Sequence, residues 1–258
     1  MKDLWKDLSI AREAAQAAAK IIKERFGETA NARVKGGAKG LVTDVDMAAD
    51  KAILDILRKN SEYGIISEES GASVSKSGPV WVVDPLDGTN NFARSLPLFV
   101  VSIGLMNGRE SLLGVIIDPV QNKEYYAVKG NGAFCNDEKI IVPEFDSSYS
   151  PMLFLNHGYS QTARDRLKKL VHKMALSYNL LKLGTTALEM CYVAEGKADG
   201  LIFSGDELWD YAAGIVIAQE AGHIFSDWNG NPWDGKNDCL MVVRPEIHRE
   251  LVELVRDL

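Results

Sequence analysis

The apolar run Val80-Trp81-Val82-Val83 stops abruptly at Asp84-Pro85-Leu86-Asp87-Gly88-Thr89. Consecutive apolar residues bounded by turn formers read as a buried strand. Burying that strand places two carboxylates, three residues apart, at its end. Pro85 stiffens the bend, and Gly88 permits a left-handed backbone. Such a turn aims both carboxylates at one point and offers the N–H groups of Gly88 and Thr89 to an anion. Carboxylates beside an anion site make sense with a hard cation between them. Magnesium prefers oxygen ligands and shares them with substrate phosphate. The alternative is a plain strand-end turn, since Asp-Pro and Asp-Gly are common turn pairs. The whole hexapeptide behind an apolar strand favours the site.

Charge narrows the partners. The 258 residues carry 29 Lys and Arg against 36 Asp and Glu, a net charge of −7. That balance argues against general nucleic-acid binding, which needs a basic face. A hydrophobic share of 46% and a charged share of 25% describe a globular chain with material for a sizeable core. No apolar stretch approaches a membrane span. Asp3, Asp7, Glu13, Glu24 and Glu28 are out of place in a signal or transit peptide. Cys135, Cys191 and Cys239 are widely spaced and odd in number, which fits a reducing cytoplasm and no disulfide framework.

Periodicity predicts helices over 4–26 and 44–59, the second with Thr43 in front as an N-cap. β-like runs follow at 63–67, 80–84, 98–106, 112–117, 125–128 and 140–142, with a hairpin signal at Asn107-Gly108. Beyond the Ser- and Pro-rich stretch 143–151, helix and strand alternate. Helices are expected at 161–177, 186–195, 210–221 and 246–257, and strands at 179–183, 199–203, 223–226 and 239–243. These patterns predict an N-terminal, mostly antiparallel α+β half (1–145) carrying the metal site. A C-terminal α/β half (146–258) completes it within one compact unit.

Three further acidic positions extend the cluster. Glu68-Glu69 follows Gly64-Ile65-Ile66-Ser67, where a solvated loop is the bland reading. Asp46 lies in Thr43-x-x-Asp46 ahead of an apolar helix, where a capping box is. Asp210 precedes Ala212-Ala213-Gly214, where a helix-start acid is. None stands without Asp84 and Asp87. Two patterns are set aside. Gly230–Asn237 imitates a phosphate-binding loop, but Asn237 stands where a hydroxyl is needed and an apolar β-like run follows, so a surface turn is expected. His157, His172, His223 and His248 show no metal-ligand spacing and are read as structural or solvated.

Taken in order, five elements resemble the inositol monophosphatase family. They are Leu41-Val42-Thr43-x-x-Asp46, Ser67-Glu68-Glu69-Ser70, Trp81-x-x-Asp84-Pro85-Leu86-Asp87-Gly88-Thr89-x-Asn91-Phe92, Gly184-Thr185-Thr186-Ala187 and Trp209-Asp210-x-Ala212-Ala213-Gly214. The resemblance spans nearly the whole chain. It implies an α+β fold, a layered α-β-α-β-α sandwich of the sugar-phosphatase type, usually dimeric, with two or three magnesium ions.

Carried over by motif, Glu68, Asp84 and the carbonyl of Leu86 would hold one ion, and Asp84, Asp87 and Asp210 a second. A third would sit near Glu68. Thr89, Asp46 and Glu68 would form the catalytic set, with Thr89 positioning a water and Asp46 taking the threonine proton. Asp87, Gly88, Thr89 and Thr186 would bind substrate. Lys35, eleven residues before Asp46, matches a family lysine or is a solvated loop lysine. The resemblance implies magnesium-dependent hydrolysis of a small sugar or cyclitol phosphate, such as inositol 1-phosphate or fructose 1,6-bisphosphate. Phe203 stands where the animal enzymes carry an acid that contacts sugar hydroxyls, and Ser204, Asp206 or Glu207 are the possible substitutes. No arginine lies between Arg166 and Arg244 to pair with a second phosphate, which leaves Lys182 or a partner subunit. The alternatives are a 3′-phosphoadenosine 5′-phosphate phosphatase, or association with RNA-processing or transcription machinery.

Overall fold

The computed structural model describes residues 4–28, 33–34, 41–73 and 78–258. In chain order the elements are α1 (Leu4–Arg25), β1 (Arg33–Val34), β2 (Leu41–Val42), α2 (Asp44–Asn60), β3 (Gly64–Ser67), β4 (Gly71–Ser73), β5 (Val80–Asp87), α3 (Thr89–Phe92), β6 (Val100–Asn107), β7 (Glu110–Asp118), β8 (Lys123–Val128), β9 (Ala133–Cys135) and β10 (Glu138–Lys139). The chain continues with β11 (Met152–His157), α4 (Gln161–Met174), β12 (Asn179–Leu181), α5 (Thr186–Ala194), β13 (Gly200–Ser204), α6 (Leu208–Glu220), β14 (Ile224–Asp227), β15 (Cys239–Val243) and α7 (Pro245–Val255).

Helices and sheets stack in five layers. α1 and α2 cover one face of an eight-stranded sheet ordered β10-β9-β8-β7-β6-β5-β3-β4. Apart from the parallel pair β3 and β5, its neighbours run antiparallel. α5 and α6 fill the middle layer. Both their faces are buried, so they carry little amphipathic pattern. A five-stranded mixed sheet, β12-β11-β13-β15-β14, forms the fourth layer. α4 and α7 close the stack.

Local chemistry explains the elements that carry the site. The inner face of α1 is mostly alanine and isoleucine (Ala11, Ala14, Ala15, Ala18, Ile22), fully buried, so helix and sheet approach closely. α2 begins at a complete capping box, in which Thr43 accepts from the start of the helix and Asp46 accepts from the Thr43 N–H at 2.8 Å. α6 approaches the large sheet at two glycines. A methyl group on Gly114 would lie 2.3 Å from the Ala213 carbonyl oxygen, and one on Gly104 3.0 Å from the Ala212 backbone. That approach brings the start of α6 towards β5.

Two expectations need correction. Residues 140–142 form no strand. Ile141 is 82% exposed and has no sheet face to join, and the chain pairs earlier, through β9 and β10. β5 does not stop at Asp84. It runs to Asp87, with its register against β6 shifting between Asp84 and Asp87, so Asp84-Pro85-Leu86-Asp87 is a bulged strand end rather than a turn. The set-aside loop is a turn, as expected: Asp234 accepts from the amides of Lys236 and Asn237 at 2.8 and 2.7 Å.

Candidate active site

The bulge at the end of β5 opens into a cavity of about 480 Å³. Among the described residues, six carboxylates line it: Glu68, Asp84, Asp87, Asp206, Glu207 and Asp210. Ligand oxygens of Asp84, Asp87 and Asp210 lie within 4.8 Å of one another. Each arrives by a different device. The Asp84 carboxylate folds back and accepts from its own loop, at the Leu86 N–H, at 2.9 Å. Asp87 accepts from the Thr185 hydroxyl and the Ala187 N–H, both at 2.7 Å, which docks it on the N-terminus of α5. Asp210 accepts from the Glu207 N–H at 2.7 Å in the capping box of α6. The bland reading of Asp210 is therefore true, and the acid also reaches the cluster.

Crowding and burial disturb these acids. The carboxyls of Asp84 and Asp210 are pushed well above the usual range, first by burial and then by the charge of acidic neighbours: Glu68, Asp87 and Asp210 for Asp84, and Asp206, Asp87 and Glu68 for Asp210. Asp87 is raised by burial to about 7, against the pull of its two hydrogen bonds. Three like charges crowded in a largely buried cluster repel unless something positive joins them. Oxygen-only donors at this spacing suit a hard divalent cation such as magnesium.

A second group adjoins the cluster. The Thr89 hydroxyl donates to Asp46 Oδ1 at 2.9 Å and lies 3.1 Å from the Leu86 carbonyl oxygen. Asp46 is fully buried, and the Thr43 hydroxyl donates to its other oxygen. Burial raises the Asp46 carboxyl, partly opposed by the Thr43 and Thr89 hydrogen bonds. Gly88 takes φ +100°, and a methyl group there would meet the Leu98 carbonyl oxygen at 2.7 Å. The first backbone bonds of α3 run from Asn91 and Phe92 back to the Gly88 carbonyl. The Gly88 and Thr89 amides precede them at the cavity edge, among the N–H groups a helix start leaves without helical partners.

A family model described as the inositol monophosphatase family matches residues 3–258. The chain belongs to the inositol monophosphatase family. Its curated relatives include the Nus factor SuhB of Pasteurella multocida, 34% identical over 259 residues and covering 96% of this chain and 95% of the relative. Another is the fructose-1,6-bisphosphatase/inositol-1-monophosphatase of Aquifex aeolicus, 32% identical over 240 residues, covering 88% and 87%. Among solved structures, an IMPase of Thermotoga maritima superposes with a TM-score of 0.85 at 31% identity, covering 97% of this chain and 96% of that one.

Within this inositol monophosphatase fold, the other sequence-derived candidates divide. Glu68 lines the same cavity and contacts Asp84 through a hydrogen bond, although the tight triad is Asp84, Asp87 and Asp210. Thr186 also lines the cavity, between the two residues that hold Asp87, and donates to Asp206 at 2.7 Å. Lys35 lies outside the described residues. Phe203 is fully buried in the core. Of its possible substitutes, Asp206 and Glu207 reach the cavity, while Ser204 is buried and accepts from Arg166.

Two placements were missed. His157, read from the sequence as structural or solvated, lines the cavity beside the start of α4. A lone histidine carries no motif, and a crossover connection brings this one to the site. Asp50 sits one helical turn beyond Asp46, 2% exposed, and accepts from the hydroxyls of Ser67 and Ser70. It thereby pins both ends of the Glu68-Glu69 loop. An aspartate at i+4 on the same helix face was the available signal.

Proposed function

We infer that the chain is a magnesium-dependent phosphomonoesterase acting on a small sugar or cyclitol phosphate. One observation carries the reading: the Asp84, Asp87 and Asp210 oxygens converge within 4.8 Å beside the Thr89–Asp46 pair. Asp84, Asp87 and Asp210 would hold one ion, with Glu68 and the Leu86 carbonyl helping to hold another. Bound there, magnesium would lower the pKa of water and neutralise phosphoryl oxygens.

The chain's own residues supply the rest. The Gly88 and Thr89 amides hold the phosphoryl group. Thr89 donates its hydrogen to Asp46, which leaves its oxygen lone pairs free to accept from the attacking water. As that water adds to phosphorus, its proton passes to Thr89 Oγ1 and the threonine proton to Asp46 Oδ1. The ester P–O bond breaks, and the departing oxygen takes a proton from solvent. The raised carboxyl of Asp46 makes it a better base than an ordinary aspartate.

The test is phosphate release from inositol 1-phosphate, fructose 1,6-bisphosphate and 3′-phosphoadenosine 5′-phosphate, with magnesium or with chelator. Release from a sugar or cyclitol ester that chelator abolishes supports the reading. Preference for the nucleotide moves the protein to that branch. The relative named as a Nus factor motivates a second reading, association with transcription machinery. Capture of such partners with no turnover of any ester would favour it. A cytoplasmic homodimer completes the proposal, to be checked by sedimentation.

A further inference from the structure

A second cavity, of about 370 Å³, lies between α1 and the Tyr126 ring of β8. It shares no residue with the carboxylate cavity. Its volume falls in the range that holds a small ligand. Trp5, Arg12, Glu13 and Gln16 line it from one face of α1. The wall they meet is a stack of flat groups. The Tyr126 ring lies against Phe134, with centroids 5.2 Å and planes 12° apart. The Arg12 guanidinium lies over Tyr126, 4.6 Å from the ring centroid.

Two acids fix the guanidinium in place. Arg12 Nε donates to Glu124 Oε1 at 2.6 Å, and Nη2 lies 3.0 Å from Asp137 Oδ1. Gln16 donates to the other oxygen of Glu124 at 3.0 Å, and the Tyr126 hydroxyl donates to Asp137 at 2.9 Å. The result is a held aromatic and guanidinium wall, with the Trp5 indole, 51% exposed, also lining the space. Its charge is the opposite of what an arginine suggests. Glu124 and Asp137 together outweigh Arg12, and Glu13 pairs with no cation among the described residues. The wall therefore takes a flat ring, and its surplus of carboxylate takes a positive charge.

We propose that this cavity is a binding site for an aromatic amine, with the ring against Arg12, Tyr126 and Trp5 and the ammonium at Glu13. Guanidinium and indole both favour contact with an aromatic face. The ammonium also answers the unpaired carboxylate. A phosphorylated or carboxylated ligand meets the same acids with the wrong sign, so the cavity is not a second seat for phosphate esters. The proposal goes beyond the phosphatase reading and does not rest on it.

Calorimetric titration of the full chain with phenethylamine, phenethyl alcohol and phenylacetate tests it, since the three vary the charge beside one ring. The amine is expected to bind tightest, threefold or more over the alcohol, and the acid weakest. Added salt should narrow the gap, because exposed charges are screened. Tryptophan emission should change as the amine binds, and Trp5→Leu should remove that change. Glu13 is exposed, so Glu13→Gln leaves the fold intact; it should cancel the amine's advantage and leave the alcohol's affinity unchanged. Arg12→Lys, which keeps the charge and loses the flat surface, should weaken amine and alcohol alike. Equal binding of the three ligands, tightest binding of the acid, or no saturable binding of the amine overturns the proposal. So does a Glu13→Gln variant that still prefers the amine.

Discussion

Asp84→Asn should make the metal-free protein more stable while abolishing its activity. Asparagine keeps the volume of the side chain and the Oδ1 acceptor for the Leu86 N–H, so packing is retained. What disappears is a buried charge whose oxygens lie within 4.8 Å of those of Asp87 and Asp210. At an effective dielectric of about 20, two unit charges at that distance repel by roughly 3.5 kcal/mol. The crowded carboxyls of Asp84 and Asp210 are pushed towards the protonated form, which reduces the repulsion already present. A net gain of about 2 kcal/mol follows, or about 5 °C in Tm for a chain of this size. Magnesium should reverse the order. It stabilises whichever protein binds it in proportion to RT ln(1 + [L]/Kd), and the variant has lost a shared ligand. Thermal unfolding in chelator and in magnesium, run beside a phosphate-release assay, reads all three effects. An Asn variant less stable than wild type in chelator, or stabilised equally by magnesium, would show that the cluster is not a repulsive, cation-seeking site.

Three other outcomes are expected. Gly88→Ala places a methyl group 2.7 Å from the Leu98 carbonyl at φ +100°; left-handed strain of about 1–2 kcal/mol plus the clash should lower the denaturant midpoint and remove turnover. Asp50→Ala frees Ser67 and Ser70 and should raise the magnesium concentration for half-maximal binding several-fold by calorimetry, with kcat at saturating magnesium less affected. His223 is buried, mainly by burial pushed down to about 4 from its usual 6.5. It is neutral when folded while the unfolded chain takes a proton, so stability present above pH 6.5 should drain away as pH falls towards 4. The loss is about 3 kcal/mol. An unfolding free energy flat across that window would refute the assignment.

Much of the fold was legible because its signals are local. Thr43-x-x-Asp46 marks the start of α2, and the alternation of helix and strand expected from residue 161 onwards survives with ends moved by a residue or a few, whereas β11 ahead of it was not foreseen. The failure at 140–142 has the same root. Ile140, Ile141 and Val142 are strand-like in isolation, but strand formation needs a neighbour to pair with; the Ile140 N–H bonds the Ala133 carbonyl, and no ladder continues past it. The bulge in β5 was equally invisible, since it depends on register against β6.

Residue type and spacing alone determined that an apolar strand delivers Asp84 and Asp87 together, that Gly88 must bend sharply, and that Asp46 and Asp210 begin helices. Backbone geometry over a few residues enforces these features wherever the chain finds itself. Tertiary structure decided which acids meet. Asp210 joins the cluster because α6 settles onto Gly104 and Gly114, and Asp206 rather than Phe203 faces the cavity because β13 buries Phe203 in the core. His157 reaches the cavity, and Thr186 bonds Asp206, only when β11, α5 and the loop before α6 are packed together. Contacts between residues far apart in the chain depend on how layers stack, and no short-range pattern encodes that distance.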